Sequence, residues 1–211
     1  MSSDRPERPD RPERPDRPER PDGADGPERV GGGATYQDVL DARPEVIAEI
    51  IDGVLYLSPR PAFPHATTST RLTISVGGAF DGGGDPGGWV IVHEPELHFG
   101  KNILVPDLAG WRRDRMPTRP KTAFVALAPD WVCEVLSRST ARMDRKVKLP
   151  VYAREGVYNV WLIDPVAKVL ELYRLEGQGY RFVRDFCAGE RVRVEPFEAI
   201  ELELDGLWPE D

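Results

Sequence analysis

Asp107 and Glu134 are acidic residues inside apolar, strand-like segments at residues 105–109 and 131–136. One such acid alone is most simply a strand-end residue that faces solvent or pairs with arginine, because charged side chains are rarely fully buried. Two acids on neighbouring strands repel each other, so a cation is needed to keep both ionised. Carboxylate oxygens suit Mg²⁺ or Mn²⁺, which can activate a bound water and stabilise charge on a phosphate. The pair predicts the metal site of a phosphodiesterase.

Lys148 is the candidate third member of this site. It lies in the early turns of a predicted helix that packs back over the sheet, and its flexible stem can bring the ammonium to the two acids. There it would orient the water or stabilise the pentacoordinate phosphate. The alternative is an ordinary solvated lysine. Tyr152, one helical turn further on, is predicted to pack beside Lys148 or to bind phosphate.

The histidines and a nearby acid give accessory candidates. His93 and His98 are five residues apart. On a strand they face opposite sides, which rejects a two-histidine metal site. Glu94 shares a strand face with Glu96 and is a candidate additional ligand, although a polar outer face is the simpler explanation. His65, at the start of the first core helix, is predicted to cap that helix or to contact phosphate.

Hydrophobic periodicity and turn residues predict the elements that must hold these side chains. Asp52-Gly53 indicates a tight hairpin. Gly156 indicates the end of a helix that Pro150 either kinks or delays. The predicted elements are a short helix over residues 35–40, strands over 46–51 and 54–58, a helix over 65–80, long paired strands over 89–99 and 103–111, a strand over 131–136, a helix within 140–155, a strand over 157–163, a hairpin over 169–184 and a last strand over 199–204.

The central elements run helix, strand, strand, strand, helix, strand. The strand–helix–strand unit between residues 131 and 163 implies a crossover, and therefore one parallel pair in an otherwise antiparallel sheet. We predict an α/β protein of the α+β kind, with a mixed central sheet, flanking helices and extra hairpins.

Residues 1–34 differ from the rest of the chain in composition. Residues 5–22 are three copies of Arg-Pro-Glu-Arg-Pro-Asp, which carry no apolar side chain except proline. Such a segment cannot bury enough surface to fold. Residues 1–34 are therefore predicted to be a disordered, partly polyproline-II tail, a solvated spacer rather than a docking peptide. Residues 35–211 suit one domain of ordinary size.

Composition also bears on location. No apolar h-region follows the first charges, and no apolar run approaches the roughly 18–20 residues of a membrane span. The two cysteines, Cys133 and Cys187, have no metal-binding spacing. A cytoplasmic protein that does not enter membranes is expected.

The charge distribution is uneven. The net charge of −8 argues against a non-specific nucleic-acid binder, yet residues 112–121 and 138–148 are strongly basic and follow the two acidic segments. One explanation is that they are solvated loops. The other is that they form a basic rim that holds DNA phosphates around the acidic centre.

Several motifs, taken together, resemble the Uma-two family of bacterial proteins described as restriction endonucleases. They cover most of residues 35–205 and comprise residues 49–53 (EIIDG), His65, 105–107 (VPD), 131–137 (WVCEVLS), 148–157 (KLPVYAREGV) and 161–165 (WLIDP). The resemblance implies a restriction-endonuclease-like fold of the PD-(D/E)XK type. It also implies a magnesium-dependent DNA endonuclease, of the kind that acts as a homodimer.

The resemblance assigns Asp107 and Glu134 as metal-binding acids and Lys148 as the catalytic lysine. The chain departs from the parent pattern at Leu136, where this fold usually has its lysine, and its first core helix carries no acid. The alternative is therefore a catalytically weak or inactive module that keeps the fold and binds nucleic acid or a protein.

Overall fold

The computed structural model describes residues 26–83 and 85–209. Within these ranges the strands are β1 (Glu28–Gly32), β2 (Val46–Ile51), β3 (Val54–Pro59), β4 (Trp89–His93), β5 (Glu96–Phe99), β6 (Asn102–Leu104), β7 (Leu108–Arg112), β8 (Phe124–Val125), β9 (Trp131–Val135), β10 (Asn159–Asp164), β11 (Val169–Glu176), β12 (Gly179–Cys187), β13 (Arg191–Val192) and β14 (Leu202–Glu203). The helices are α1 (Tyr36–Leu40), α2 (Phe63–Leu72), α3 (Gly78–Phe80), α4 (Ala141–Met143) and α5 (Leu149–Arg154), with π-helical turns at Thr73–Gly77 and Asp144–Lys148 and a 3₁₀ turn at Leu204–Leu207. Across the described residues, no helix is long and apolar enough to cross a membrane.

The strands form two six-stranded sheets and one small pair, β13–β14. The order is β1-β3-β2-β6-β5-β8 in the first sheet and β12-β11-β10-β9-β7-β4 in the second. Strands β9 and β10 are parallel, as the predicted crossover requires, while their outer neighbours β7 and β11 are antiparallel to them. The predicted α+β class is confirmed, with two mixed sheets in place of one.

The prediction of long strands over 89–99 and 103–111 was wrong, because each is broken by a proline. Pro95 separates β4 from β5, and Pro106 separates β6 from β7. Proline cannot donate a ladder hydrogen bond, so the chain leaves one sheet and enters the other at both points. Strand β4 then pairs with β7 in the second sheet, and β5 pairs with β6 in the first. This bent hairpin joins the two sheets, and Asp107 lies at its bend.

The predicted tail boundary also differs from the structure. Residues 28–32 were placed in the disordered tail, but β1 pairs antiparallel with β3 and adds an exposed edge strand to the first sheet. Backbone pairing, rather than side-chain burial, orders this segment. The Arg-Pro-Glu-Arg-Pro-Asp repeat lies outside the described residues.

Alternation along β9 places Glu134 in the interior. Trp131 and Val135 pack on one face of the second sheet, in a core cluster that includes Trp161. Val132 packs in a different cluster, on the opposite face. Successive strand residues face opposite sides, so Glu134 shares the face of Val132. That second cluster also contains residues of α5 and of the first sheet.

Pro150 does not break the helix that follows β9. Helix α4, the π-helical turn and α5 run continuously from residue 141 to residue 154. Within the wider turn, the N–H of Leu149 donates to the carbonyl of Asp144. Pro150 follows directly after this wider turn, where the regular i→i−4 ladder is already interrupted, so its missing N–H is tolerated inside a continuous helix. The turn leaves Asp144 and Lys148 buried on the same side.

Candidate active site

A cavity of about 140 Å³ opens between the two sheets and the helix that follows β9. It is lined by seven ionisable side chains, which are Glu49, Arg60, His65, Asp107, Glu134, Asp144 and Lys148. The structure thus brings together the three residues predicted to form the site, Asp107, Glu134 and Lys148, with one of the accessory candidates, His65.

Asp107 is fixed in place at the bend between β6 and β7. Its Oδ2 atom accepts the backbone N–H of Val135 at 2.7 Å, which ties the carboxylate to β9. Its Oδ1 atom lies 3.2 Å from Nε2 of His65. Asp107 is buried, so these two contacts hold its oxygens where the cavity meets the end of β9.

Lys148 is a buried side chain, not a solvated one, with 7% of the side chain exposed. Its ammonium nitrogen lies near three carboxylate oxygens: 2.9 Å from Glu49 Oε1, 3.2 Å from Glu134 Oε1 and 3.6 Å from Asp144 Oδ1. Burial lowers the pKa of Lys148, but the charges of these three acids outweigh it and raise that pKa well above its usual value. Lys148 is therefore held as a cation.

Negative charge is in excess around this lysine. Burial raises the pKa of Glu134 well above its usual value, against the opposing effect of Lys148. Burial also raises the pKa of Asp144 to about 6. Four carboxyl groups, including Glu49 and Asp107, line a cavity that holds one ammonium group. A site of this kind favours a further cation.

Tyr152 and His65 each contact one of the two predicted metal-binding acids. The hydroxyl of Tyr152 donates to Oε1 of Glu134 at 2.6 Å, and burial raises the pKa of this tyrosine well above its usual value, so that it remains a donor. Burial lowers the pKa of His65, but the hydrogen bond and charge of Asp107 raise it more. Both side chains orient carboxylates; Tyr152 does not line the cavity.

Glu49 and Asp144 were not predicted as site residues. Glu49 lies on β2 and accepts the N–H of Val105 at 2.8 Å while it contacts Lys148. The signal was present, because Glu49 stands inside the apolar run 46–51 as Glu134 does in its own strand. Asp144 is four residues before Lys148, a spacing that places both on one helix face.

Glu94 does not belong to the cavity. It lies between β4 and β5 with a φ of 45°, so the strand face predicted to join it to Glu96 is interrupted. It lines a separate cavity and lies 3.9 Å from Arg60. Its backbone N–H donates to the carbonyl of Asp107 at 2.9 Å, and its charge helps to raise the pKa of His65. The role of Glu94 as an added ligand stays a prediction.

The two basic segments occupy different places. Residues 112–121 begin at the far end of β7, about 17 Å from Asp107 by strand rise, and two of their arginines pair with Asp81. Arg119 of this segment lines the same cavity as Glu94, so a place for these residues in a rim around the acids stays a prediction. Residues 138–148 border the cavity, and Arg138 and Arg142 are exposed without an ion pair to any residue within 26–83 or 85–209.

Asp107 and Glu134 could hold a metal ion that keeps most of its water. Within residues 26–83 and 85–209, no three His, Cys, Asp or Glu side chains are arranged to hold a metal ion by themselves. Lys148 stands among three of the acids and occupies their shared space. Mg²⁺ is commonly bound through one or two carboxylates and several waters. The donor set therefore fits magnesium or manganese better than a metal that needs a full protein cage.

Comparisons with known proteins identify a family and a similar fold. A family model, Uma2, described as "Putative restriction endonuclease", matches residues 34–205. The chain belongs to the Uma2 family. A solved structure with a similar fold is that of "a putative nuclease belonging to DUF820" from Anabaena variabilis, with a TM-score of 0.63 and 21% identity over 83% of this chain and 97% of that one. The comparison with curated proteins gives no match.

Proposed function

We propose that this Uma2 protein is a Mg²⁺- or Mn²⁺-dependent endonuclease that hydrolyses phosphodiester bonds in DNA. The observation that carries the proposal is the convergence of Asp107, Glu134 and Lys148 on one buried cavity. The family description and the nuclease description of the solved structure support the same reaction class.

Each side chain has a role in this proposal. Asp107 and Glu134 hold the metal ion, which when bound lowers the pKa of a water and stabilises charge on the phosphate. Lys148 donates to a phosphate oxygen and stabilises the negative charge that develops there. His65 and Tyr152 position the two acids through the contacts described above.

Lys148 takes the place of the lysine expected at position 136. Leu136 is buried in an apolar cluster, so no cation comes from β9 itself. The helix after β9 instead brings an ammonium to within 3.2 Å of Glu134. Glu49 and Asp144 keep that ammonium charged and fix its position. This supports a catalytic lysine that has moved from strand to helix.

Plasmid cleavage by the purified chain tests the proposal. We expect nicking or linearisation with Mg²⁺ or Mn²⁺, none with EDTA, and at least a hundredfold loss in Asp107→Asn and in Glu134→Gln, an order of magnitude typical for a lost charge-stabilising group. Both amides can still accept the hydrogen bonds made by Val135 and Tyr152. Glu203→Gln, an exposed strand glutamate, is the matched control. Full cleavage in both site variants would contradict the assignment.

The binding-module alternative predicts a different result in the same experiment. It keeps the fold and the exposed Arg138 and Arg142, so DNA should bind in EDTA as well as in Mg²⁺, without cleavage. The absence of Lys at position 136 favours this alternative, and the burial of Lys148 beside Glu134 favours the enzyme.

A further inference from the structure

The cavity is too small for a nucleotide. Its volume of about 140 Å³ is below the roughly 300–1,000 Å³ of pockets that enclose small molecules. If the proposed function holds, a phosphate and an ion can enter, whereas the attached sugar and base must remain at the rim. The side chains on the rim therefore decide which nucleic-acid structure is accepted.

Two chemically different walls border this rim. The hydroxyl wall is Ser137, Ser139 and Thr140, beside the exposed Arg138. Oγ of Ser137 lies 3.0 Å from Oγ of Ser139 and 2.9 Å from Oγ1 of Thr140. Hydroxyl and guanidinium groups suit phosphates. The proline wall, residues 59–62, has the apolar side chains of Pro59, Pro61 and Ala62 around one arginine.

An exposed aromatic ring directly follows the proline wall. Phe63 is the first residue of α2, with 81% of its surface accessible, the most exposed large apolar residue in the described chain. Its neighbour Ala62 lines the cavity, and so does His65, two residues later. Consecutive Cα atoms are about 3.8 Å apart, so the Cα atom of Phe63 lies close to the edge of the cavity.

The backbone that carries Phe63 is restricted before any ligand arrives. Pro61 and Pro64 restrict the backbone on both sides of it, and the guanidinium of Arg60 donates twice to the carbonyl of Pro44, at 3.2 and 3.3 Å. A ring on a restricted backbone loses less conformational freedom on binding than a ring on a mobile loop. Every nucleobase offers a π-face to such a ring.

We propose that Phe63 stacks on the base next to the scissile phosphate, and that the substrate is DNA with an unpaired nucleotide at that position. A phosphate on the hydroxyl wall and a base on Phe63 place one nucleotide across the cavity, with its phosphodiester above the acids. In an intact duplex each base face is covered by its neighbours. Only an unpaired or splayed nucleotide leaves a face free for Phe63. This inference rests on the proposed nuclease function.

Binding of oligonucleotides in EDTA, where no cleavage competes, tests the inference. Phe63→Ala should weaken binding of a single-stranded oligonucleotide about 5- to 150-fold, the range for one lost base stack. It should leave binding of the paired duplex within about twofold. Phe63→Leu, which is apolar without a π-face, should be nearly as weak, and Phe63→Trp should restore binding. Tyr158→Ala is the matched control. Tyr158 is an exposed aromatic residue directly before β10, at the end of β10 away from the cavity.

Fluorescence of Phe63→Trp gives a second readout. All five native tryptophans are buried, so the added indole is the solvent-exposed one. Its emission should be quenched by the single strand and not by the same strand with abasic sites around the bound position. Unchanged binding in Phe63→Ala, an equal loss in Tyr158→Ala, an equal loss with duplex, or no binding of single strands by the wild type would each overturn the inference. Plasmid cleavage that depends on Glu134 would still support the proposed function in all of these cases.

Discussion

At the scale of single residues, the site is built around a buried cation, Lys148. Three acids contact its ammonium, and none of them is exposed. Taking charges out of water is costly, and removing one partner of a buried pair leaves the others uncompensated. The cluster is therefore poorly suited to stability alone and well suited to holding charge at a reacting centre.

Replacement of Lys148 by methionine should expose this cost. We expect Lys148→Met to abolish cleavage and to lower the free energy of unfolding by about 3 kcal/mol at pH 8 in EDTA, because Glu49, Glu134 and Asp144 lose their counter-charge. Urea denaturation followed by circular dichroism measures the change. Lys101→Met, at an exposed turn, is the control. A stability equal to that of the wild type would contradict the buried ion-pair cluster.

Asp144 should make stability depend on pH. The pKa of Asp144 in the folded protein is raised from 3.8 to about 6. Protonation of this carboxyl group therefore adds to the free energy of unfolding, fully below pH 4, and this contribution is lost as pH rises through 6. Asp144→Asn does not titrate, so the stability of this variant relative to the wild type should increase by about 3 kcal/mol from pH 4 to pH 7. Urea midpoints across that range provide the measurement. A difference that stays constant with pH would show that Asp144 is not a strained, buried acid.

At the scale of elements, two local irregularities position the site. The bend at Pro106 carries Asp107 from the first sheet to the second, and the π-helical turn at Asp144–Lys148 precedes Pro150 without breaking the helix. Periodicity along the sequence predicted the strand and the helix but not these features. Both segments keep their apolar pattern across the irregularity, so periodicity does not reveal it. At the bend, the sheet that each half of the strand joins depends on tertiary pairing.

The basic segment after β9 should contact the DNA backbone. Arg138→Ala combined with Arg142→Ala should weaken DNA binding and reduce the slope of log K against log salt by about two, one for each lost phosphate contact. Titrations at several salt concentrations test this. Arg119→Ala, from the basic segment at the other end of β7, is the control and should leave the slope unchanged. The reverse pattern would place DNA at that other end of the sheet.

At the scale of the whole molecule, the order of elements was enough to predict the α+β class and the parallel pair β9–β10. The division into two sheets could not be predicted, because local sequence patterns do not show which sheet each half of the bent hairpin joins. Asp107 and Glu134 were predicted as site residues because each interrupts an apolar strand, and Lys148 because it lies early in the helix that packs back over the sheet. Glu49 interrupts an apolar strand in the same way and was overlooked. The homodimer implied by the family resemblance stays a prediction, which sedimentation velocity can check.

The most direct measurement is a crystal structure of the protein with Mn²⁺, read by anomalous scattering. The account predicts one peak between Asp107 and Glu134, with carboxylate oxygens about 2.0–2.2 Å away, as for a hard divalent ion, and no such peak in Glu134→Gln. A peak elsewhere, or none at these acids in a protein that cuts DNA with Mn²⁺, would contradict the metal site on which the proposed function rests.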